Sequence, residues 1–371
     1  MPLIAHVSPL AAALLLFVGC APSPFVIGVP LVLTGVNSAL GVGARNGIEL
    51  AAKEIDEAGG INGHPLKLIV RDDRDDPDKA LAVDKELAKR GATVLVGHMT
   101  SRSGLEAIPW CNAKGILLVS PTISSSHWNG QADWFFRVIG SNELKGNLLA
   151  EEALRRGYRR AVVFYETANQ AFTRSVASSF EGAFVKGGGS ASGELSFTSS
   201  PDLDYGKLAR SAISAKPDLV LFSASAYDNA LFSQELAKSG KPIPVFGPMW
   251  AATDELFALG GKSVEGHVFA LTVDLGSKAP AYAKFRADYL SSYGEEPGFG
   301  AVHAYEALMV VAEAARKSPR LDAADIRTAI ISIGRFKGLQ ADILIDANGD
   351  CSRRYRAFEA RGGAFVPANE G

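Results

Sequence analysis

The chain has almost no net charge: 38 basic residues stand against 40 acidic ones in 371, a formal balance of -2. A polyanion finds no basic field to grip, which excludes nucleic-acid binding as the main task. Cysteine is nearly absent, with three in the whole sequence. Cys111 lies in an apolar helical stretch and Cys351 beside the turn-like Asn348-Gly349-Asp350, so two free thiols are expected rather than a disulfide. The six histidines form no i, i+4 pair and adjoin no cysteine, which argues against a metal site. No GxSxG string offers a nucleophilic serine, and nothing else argues for catalysis or a cofactor. Low-complexity segments and long glycine or serine linkers are also missing. The first apolar run, Leu10 to Val18, is too short to span a bilayer.

What is present is a rhythm. Apolar strands alternate with amphipathic helices from Phe25 onwards: a strand to Val32, a helix from Asn46 to Ala58, a strand from Leu66 to Val70, and a helix entered through Asp76-Pro77 and ending at Arg90. The same rhythm restarts at Asn142 and runs to Phe246; a helix-rich stretch, Ala279 to Gly334, and two late strands follow. With 47% hydrophobic residues there is material for two cores. The expectation is an α/β protein of two doubly wound parallel-sheet lobes.

Two apolar runs, Val94 to Val96 and Ile116 to Val119, break abruptly into hydroxyl-rich stretches, Gly97 to Ser103 and Ser120 to Ser126. In open α/β sheets ligands gather beyond the carboxyl ends of such strands, so both stretches are expected to face one crevice. Ser101 precedes the helix predicted from Ser103 to Lys114; it is either an N-cap or part of an anion site in which backbone N–H groups and the helix dipole converge on a carboxylate. Two other eye-catching segments are read blandly. Gly41 to Gly47 lacks the spacing and the following acid of a dinucleotide fingerprint and is expected as a flexible loop at a cleft. The mixed charges of Arg71 to Asp78 are expected as a solvated turn with a cap.

The N-terminal segment resembles a secretory signal, and Phe17-Val18-Gly19-Cys20 resembles a bacterial lipobox with Cys20 as the acylated residue, although Phe17 stands where leucine is usual and Met1 to Pro9 carries no lysine or arginine. An unlipidated signal peptide is the alternative. The rest of the chain resembles the periplasmic solute-binding proteins of the leucine/isoleucine/valine type that serve ABC importers. The strings that carry it are Leu33-Thr34-Gly35, Gly47-Ile48-Glu49-Leu50-Ala51, Ala58-Gly59-Gly60-Ile61-Asn62-Gly63, Asp72-Asp73 before Asp76-Pro77, Val96-Gly97-His98 before Ser101, Ser120-Pro121 and Phe246-Gly247-Pro248. The resemblance implies a type I binding-protein fold with three crossovers, near Arg137 to Ser141, Leu271 to Asp274 and Gly338 to Asp342. On that layout residues 1–20 are the signal and lipobox, 21–24 a tether, 25–139 with 272–340 the N-terminal lobe, and 140–271 with 341–371 the C-terminal lobe.

Carried over residue by residue, the resemblance gives Ser101 the role of carboxylate-binding serine and Ser124 that of a group holding the α-amino and carboxylate ends. Met99, Thr100 and Ile123 flank them, and Leu40, in the first loop, takes the place of an aromatic wall. The second lobe departs from the pattern. Asn169 falls where a tyrosine is usual, Ser225 is the nearest match to a contact after the strand Leu219 to Phe222, and Met249-Trp250 stand where an acid receives the ammonium. The implied function is an exported, lipid-anchored receptor that captures a small carboxylate, an amino acid or a non-amino aromatic acid, and delivers it to a membrane permease. A sensor module that transports nothing is the alternative class.

Overall fold

Strand β1 (Phe25–Leu31) is buried at every position but Val26, as an apolar strand must be when helices cover both faces of a parallel sheet. The computed structural model describes residues 22–35, 37–240 and 243–368; the signal segment and Cys20 lie outside them. After β1 come α1 (Ser38–Glu57), β2 (Leu66–Asp72), α2 (Pro77–Lys89), β3 (Val94–Val96), α3 (Gly104–Lys114), β4 (Leu117–Ser120) and β5 (Phe135–Arg137). These strands form one parallel sheet in the order β2-β1-β3-β4-β5. Asp76 caps α2 by accepting from the Lys79 N–H, as its sequence suggests.

The second sheet is built from α4 (Asn142–Arg155), β6 (Arg160–Glu166), α5 (Gln170–Lys186), β7 (Ser190–Phe197), α6 (Tyr205–Ser214), β8 (Leu219–Ser223), α7 (Ala226–Ala237), β9 (Val245–Pro248), α8 (Asp254–Gly260) and β10 (Val268–Leu271). Three helices, α9 (Pro280–Tyr293), α10 (Phe299–Lys317) and α11 (Ala323–Ile333), then return to the first core, where Phe285, Val302, Leu308 and Ile326 pack with Ile27 and Ile48. The short pair β11 (Arg335–Phe336) and β12 (Ile343–Leu344) follows, then β13 (Arg356–Arg361) and β14 (Ala364–Pro367). The second sheet has the order β14-β13-β10-β9-β8-β6-β7. It is parallel from β7 to β10, and β13 and β14 add an antiparallel edge.

The chain passes between the sheets three times, after β5, after β10 and after β12. The third passage comes later than the expected Gly338 to Asp342. Ile343, Ile345 and Cys351 still pack in the first core, whereas Tyr355 belongs to the second. Apolar side chains on β12 and after it hold this stretch to the first lobe, and the turn Asp346 to Asp350, tied by the Asp346 carboxylate to the N–H groups of Asn348 and Asp350, stays with it. The crossing strands are pinned by buried polar groups on α10. Glu306 pairs with Arg353 and accepts from the Leu339 N–H at 2.8 Å, and His303 meets the Thr272 hydroxyl at 2.7 Å. Burial opposes ionisation of Glu306, but Arg353 outweighs it and holds the carboxyl well below its ordinary range. Cys111 and Cys351 are both buried free thiols.

The glycine-rich stretch is not a loop. Gly41 to Gly47 lies inside α1, which begins at Ser38 rather than Asn46 and carries Leu40 as well. Glycine is needed there for close approach, not for freedom: a Cβ at Gly41 would lie 1.8 Å from the Val32 carbonyl oxygen, and one at Gly47 2.2 Å from that of Ala301. The helix therefore seats directly on the end of β1 and on α10. Gly43 is different, because a Cβ there meets only the Tyr289 hydroxyl at 3.8 Å. Gly41→Ala should cost about 1–3 kcal/mol through overpacking, while Gly43→Ala should gain about 0.5–1 kcal/mol from helix propensity. Urea denaturation of the two variants checks this, and equal effects would contradict it.

At the end of β3, His98 is fully buried, with Nδ1 2.6 Å from Asp73 and Nε2 3.1 Å from Asp84. Burial alone lowers its pKa, but the Asp84 and Asp73 carboxylates override burial and raise it from 6.5 to about 10. The native state therefore holds a proton that the unfolded chain has released. The stabilisation is complete below pH 6.5 and is lost as pH rises through about 10. Stability curves from pH 6 to above pH 10 should fall more steeply for the wild type than for His98→Gln; parallel curves would contradict the assignment.

Candidate ligand site between the lobes

The ends of four parallel strands supply most of the walls of one cavity. Met99, Thr100 and Ser101 follow β3; Thr122 and Ser124 follow β4; Asn169 and Phe172 follow β6; Met249 and Trp250 follow β9. Helices close it with Leu40 from α1, Lys145 from α4 and Phe299 from α10. Side chains from both lobes leave only about 30 Å³ of free space, room for roughly two waters. A larger ligand enters by parting the lobes or displacing the flexible Met99 and Met249, which suit such repacking. Trp250 stands edge-on to Phe172, with ring centres 5.9 Å apart.

Eight of the ten residues nominated from sequence line this cavity: Leu40, Met99, Thr100, Ser101, Ser124, Asn169, Met249 and Trp250. Ile123 does not. Thr122 and Ser124 face the cavity, and the residue between them turns the opposite way, as alternate residues of extended chain do; Ile123 is buried with Ile108 and Trp128. Ser225 is also absent from the cavity. It caps α7, accepting from the Asp228 N–H at 3.1 Å and donating to the Asp228 carboxylate at 2.6 Å, and it faces a larger neighbouring cleft.

The helix end near Ser101 is no open anion site. Ser101 does not cap α3; its Oγ accepts from the Ser125 N–H at 3.3 Å. The first N–H groups of that turn already have acceptors. Ser103 donates to Thr100 Oγ1 at 3.2 Å, Gly104 to the Thr100 carbonyl at 3.3 Å, and Arg102 to Asn169 Oδ1 at 3.1 Å. The last bond spans the two lobes, so Asn169 occupies the position expected of a ligand carboxylate. A second contact across the lobes joins the Ser126 N–H to Ser175 Oγ at 3.2 Å.

Lys145, Thr122, Phe172 and Phe299 are the lining residues that sequence reasoning missed. Lys145 matters most. Its side chain is fully buried, and Nζ donates to Asn142 Oδ1 at 2.9 Å and Ser124 Oγ at 3.4 Å. Its other neighbours are the faces of Phe172, 4.2 Å from the ring centre, and Tyr355, 5.1 Å away. Among the described residues it forms no ion pair with a carboxylate. Burial, reinforced by the nearby Arg137 charge, drives its pKa well below the ordinary lysine value. A signal was present in the sequence: Asn142, Lys145, Gly146, Leu149, Ala150, Glu152 and Ala153 share one buried helical face, and a lysine on such a face is out of place unless it serves something.

A cleft at strand carboxyl ends, walled from two α/β lobes and bridged by hydrogen bonds across them, is the geometry of a two-lobed receptor. Residues 24–364 match the family described as "Periplasmic binding protein". The chain belongs to that family. Among its relatives is the Leu/Ile/Val-binding protein homolog 1 of Brucella melitensis, 25% identical over 358 residues and covering 91% of each chain. The leucine-, isoleucine-, valine-, threonine- and alanine-binding protein of Pseudomonas aeruginosa is 23% identical over 320 residues, 86% of this chain and 84% of that one. Among solved structures, a leucine-binding protein from Thermotoga maritima superposes with a TM-score of 0.85 at 24% identity, covering 93% of this chain and 97% of its own. An ABC-transporter solute-binding protein from R. palustris, in complex with benzoate, gives 0.83 at 20% identity, covering 93% and 96%. The fold is the type I binding-protein architecture of this family, two lobes of largely parallel sheet.

A lysine amine buried without a carboxylate partner works against stability. Replacing buried ionic groups by apolar side chains of similar volume is often neutral or stabilising by about 1–4 kcal/mol. Lys145→Met should therefore be more stable than the wild type at neutral pH. The native state releases the Lys145 proton more readily than the unfolded chain, so wild-type stability rises with pH up to the ordinary lysine range and the advantage of the variant shrinks there. Urea midpoints at pH 7 and above pH 10 test both statements; a destabilised Lys145→Met would contradict them.

Proposed function

We propose that the protein is an exported receptor that captures a small carboxylate-bearing solute by closing its two lobes and delivers it to the membrane permease of an ABC importer. The observation that carries the ligand chemistry is Lys145: a buried ammonium in the cavity wall whose partners are an amide oxygen, a hydroxyl and two ring faces. A ligand carboxylate supplies the missing counter-charge, and charge-assisted bonds are the strong ones in such a site. Ser124 and Ser101 add hydroxyls on the first lobe, and Phe172, Met249 and Trp250 enclose the apolar body from the second. These second-lobe contacts form only on closure, and that differential affinity shifts the lobes toward the closed state. Asn169 reinforces closure through its bond to the Arg102 N–H. No chemistry is assigned to the site, and the family and fold are those of binding receptors.

Export with a lipid on Cys20 belongs to the same reading, and it places the receptor at the cell envelope beside its permease. Two or more acyl chains give stable anchoring where one does not. The lobes are taken as 25–139 with the helices after residue 272, and 140–271 with the last two strands. An amino acid ligand is the second reading, favoured by relatives that bear the names of leucine-, isoleucine- and valine-binding proteins.

Fluorescence titration tests the receptor, because Trp250 lines the cavity. Benzoate or leucine as probe should give a saturable, single-site change that is lost in Trp250→Phe. Asn169→Ala should weaken the binding by about three- to tenfold, the worth of roughly one hydrogen bond. No saturable response to either probe would contradict the reading.

A further inference from the structure

Given the receptor reading above, we infer that the cavity selects monocarboxylates that carry no α-ammonium group, with a branched-alkyl or aryl body, over the matching α-amino acids. The charge distribution of the cavity supports this. Of its twelve lining residues Lys145 alone is charged, and none is acidic. An α-amino acid brings a carboxylate to which Lys145 donates and an ammonium for which the walls hold no charged acceptor. That ammonium is desolvated beside an existing cation, and the forfeited charge-assisted bond is worth about one to two decades of affinity.

Two carboxylates that bond to wall residues or their neighbours are already engaged. Asp75 accepts from the Thr100 hydroxyl and from Asn37 Nδ2. Glu166 accepts from the N–H groups of Ala168 at 2.6 Å and Asn169 at 2.9 Å. The titratable groups that face Lys145 from neighbouring elements offer no unpaired negative charge either. Arg137 is a cation, tied to Asp350, Asn129 and the Ser125 carbonyl. His303 on α10 is held neutral, by burial above all. Burial also raises the Tyr355 phenol far above its ordinary range, and Glu306 is taken up by Arg353. The remaining walls, Leu40, Phe172, Met249, Trp250 and Phe299, suit an apolar body.

Calorimetric titration with matched probes tests the inference: leucine against 4-methylpentanoate, phenylalanine against 3-phenylpropanoate, and the amide of each deaminated acid. At least one deaminated acid should bind about tenfold or more tighter than its amino acid and about tenfold tighter than its amide. Lys145→Met should abolish the acid-over-amide preference, and acid binding to the wild type should weaken as pH rises and Lys145 loses its proton. If the variant does not fold, the acid-to-amide ratio in the wild type decides alone. Tighter binding of both amino acids than of their deaminated partners overturns the selectivity and leaves the receptor standing. Failure of every probe to bind overturns the carboxylate receptor itself.

Discussion

A lysine amine enclosed in largely apolar surroundings dictates much about this molecule. Lys145 lies on the buried face of α4, between the ring faces of Phe172 and Tyr355, at the seam of two lobes that each have their own core. Such a charge is held there only at a cost, because removing an ammonium from water is expensive and an amide oxygen with a hydroxyl compensates it incompletely. An anion between the lobes relieves that cost. Ligand affinity and native-state strain are then two sides of one interaction, and capture stabilises the fold as well as the closed state.

The scaffold serves to bring groups of opposite lobes within reach of that charge. Parallel strands deliver Met99, Thr122, Asn169 and Met249 to the same edge, since each loop leaves the carboxyl end of its strand. Glycines at positions 41 and 47 let α1 sit against β1 and α10, which carries Leu40 and Phe299 to the cavity mouth. The crossing segments are clasped by His303 and Glu306 of the same helix, with Arg353 from the last crossing paired to Glu306. Cavity wall and crossing segments thus share α10.

Much of this was legible in the residues. The alternation of strand and helix and the hydroxyl-rich loops after β3 and β4 came through because apolar runs that end abruptly in serine and threonine are unambiguous. Side-chain direction did not come through. Ile123 and Ser124 are neighbours, yet one faces core and the other cavity, and only the local backbone decides which. Ser225 follows a strand, but a serine three residues before an aspartate at a helix start caps the helix more readily than it binds a ligand. Gly41 to Gly47 reads as a loop because helix propensity disfavours glycine, and tertiary contact overrides propensity. Lys145 lies away from the strand ends, and its signal is a charge at helical spacing on a largely apolar face.

The charge state of Lys145 itself tests the account most directly. In protein carrying nitrogen-15 lysine, the Nζ resonance of Lys145, assigned by its loss in Lys145→Met, is titrated with and without a saturating carboxylate that binds, such as 4-methylpentanoate. The proton should be released well below the ordinary lysine range in the free protein and retained toward that range in the complex. The same titration midpoint in both states would contradict it.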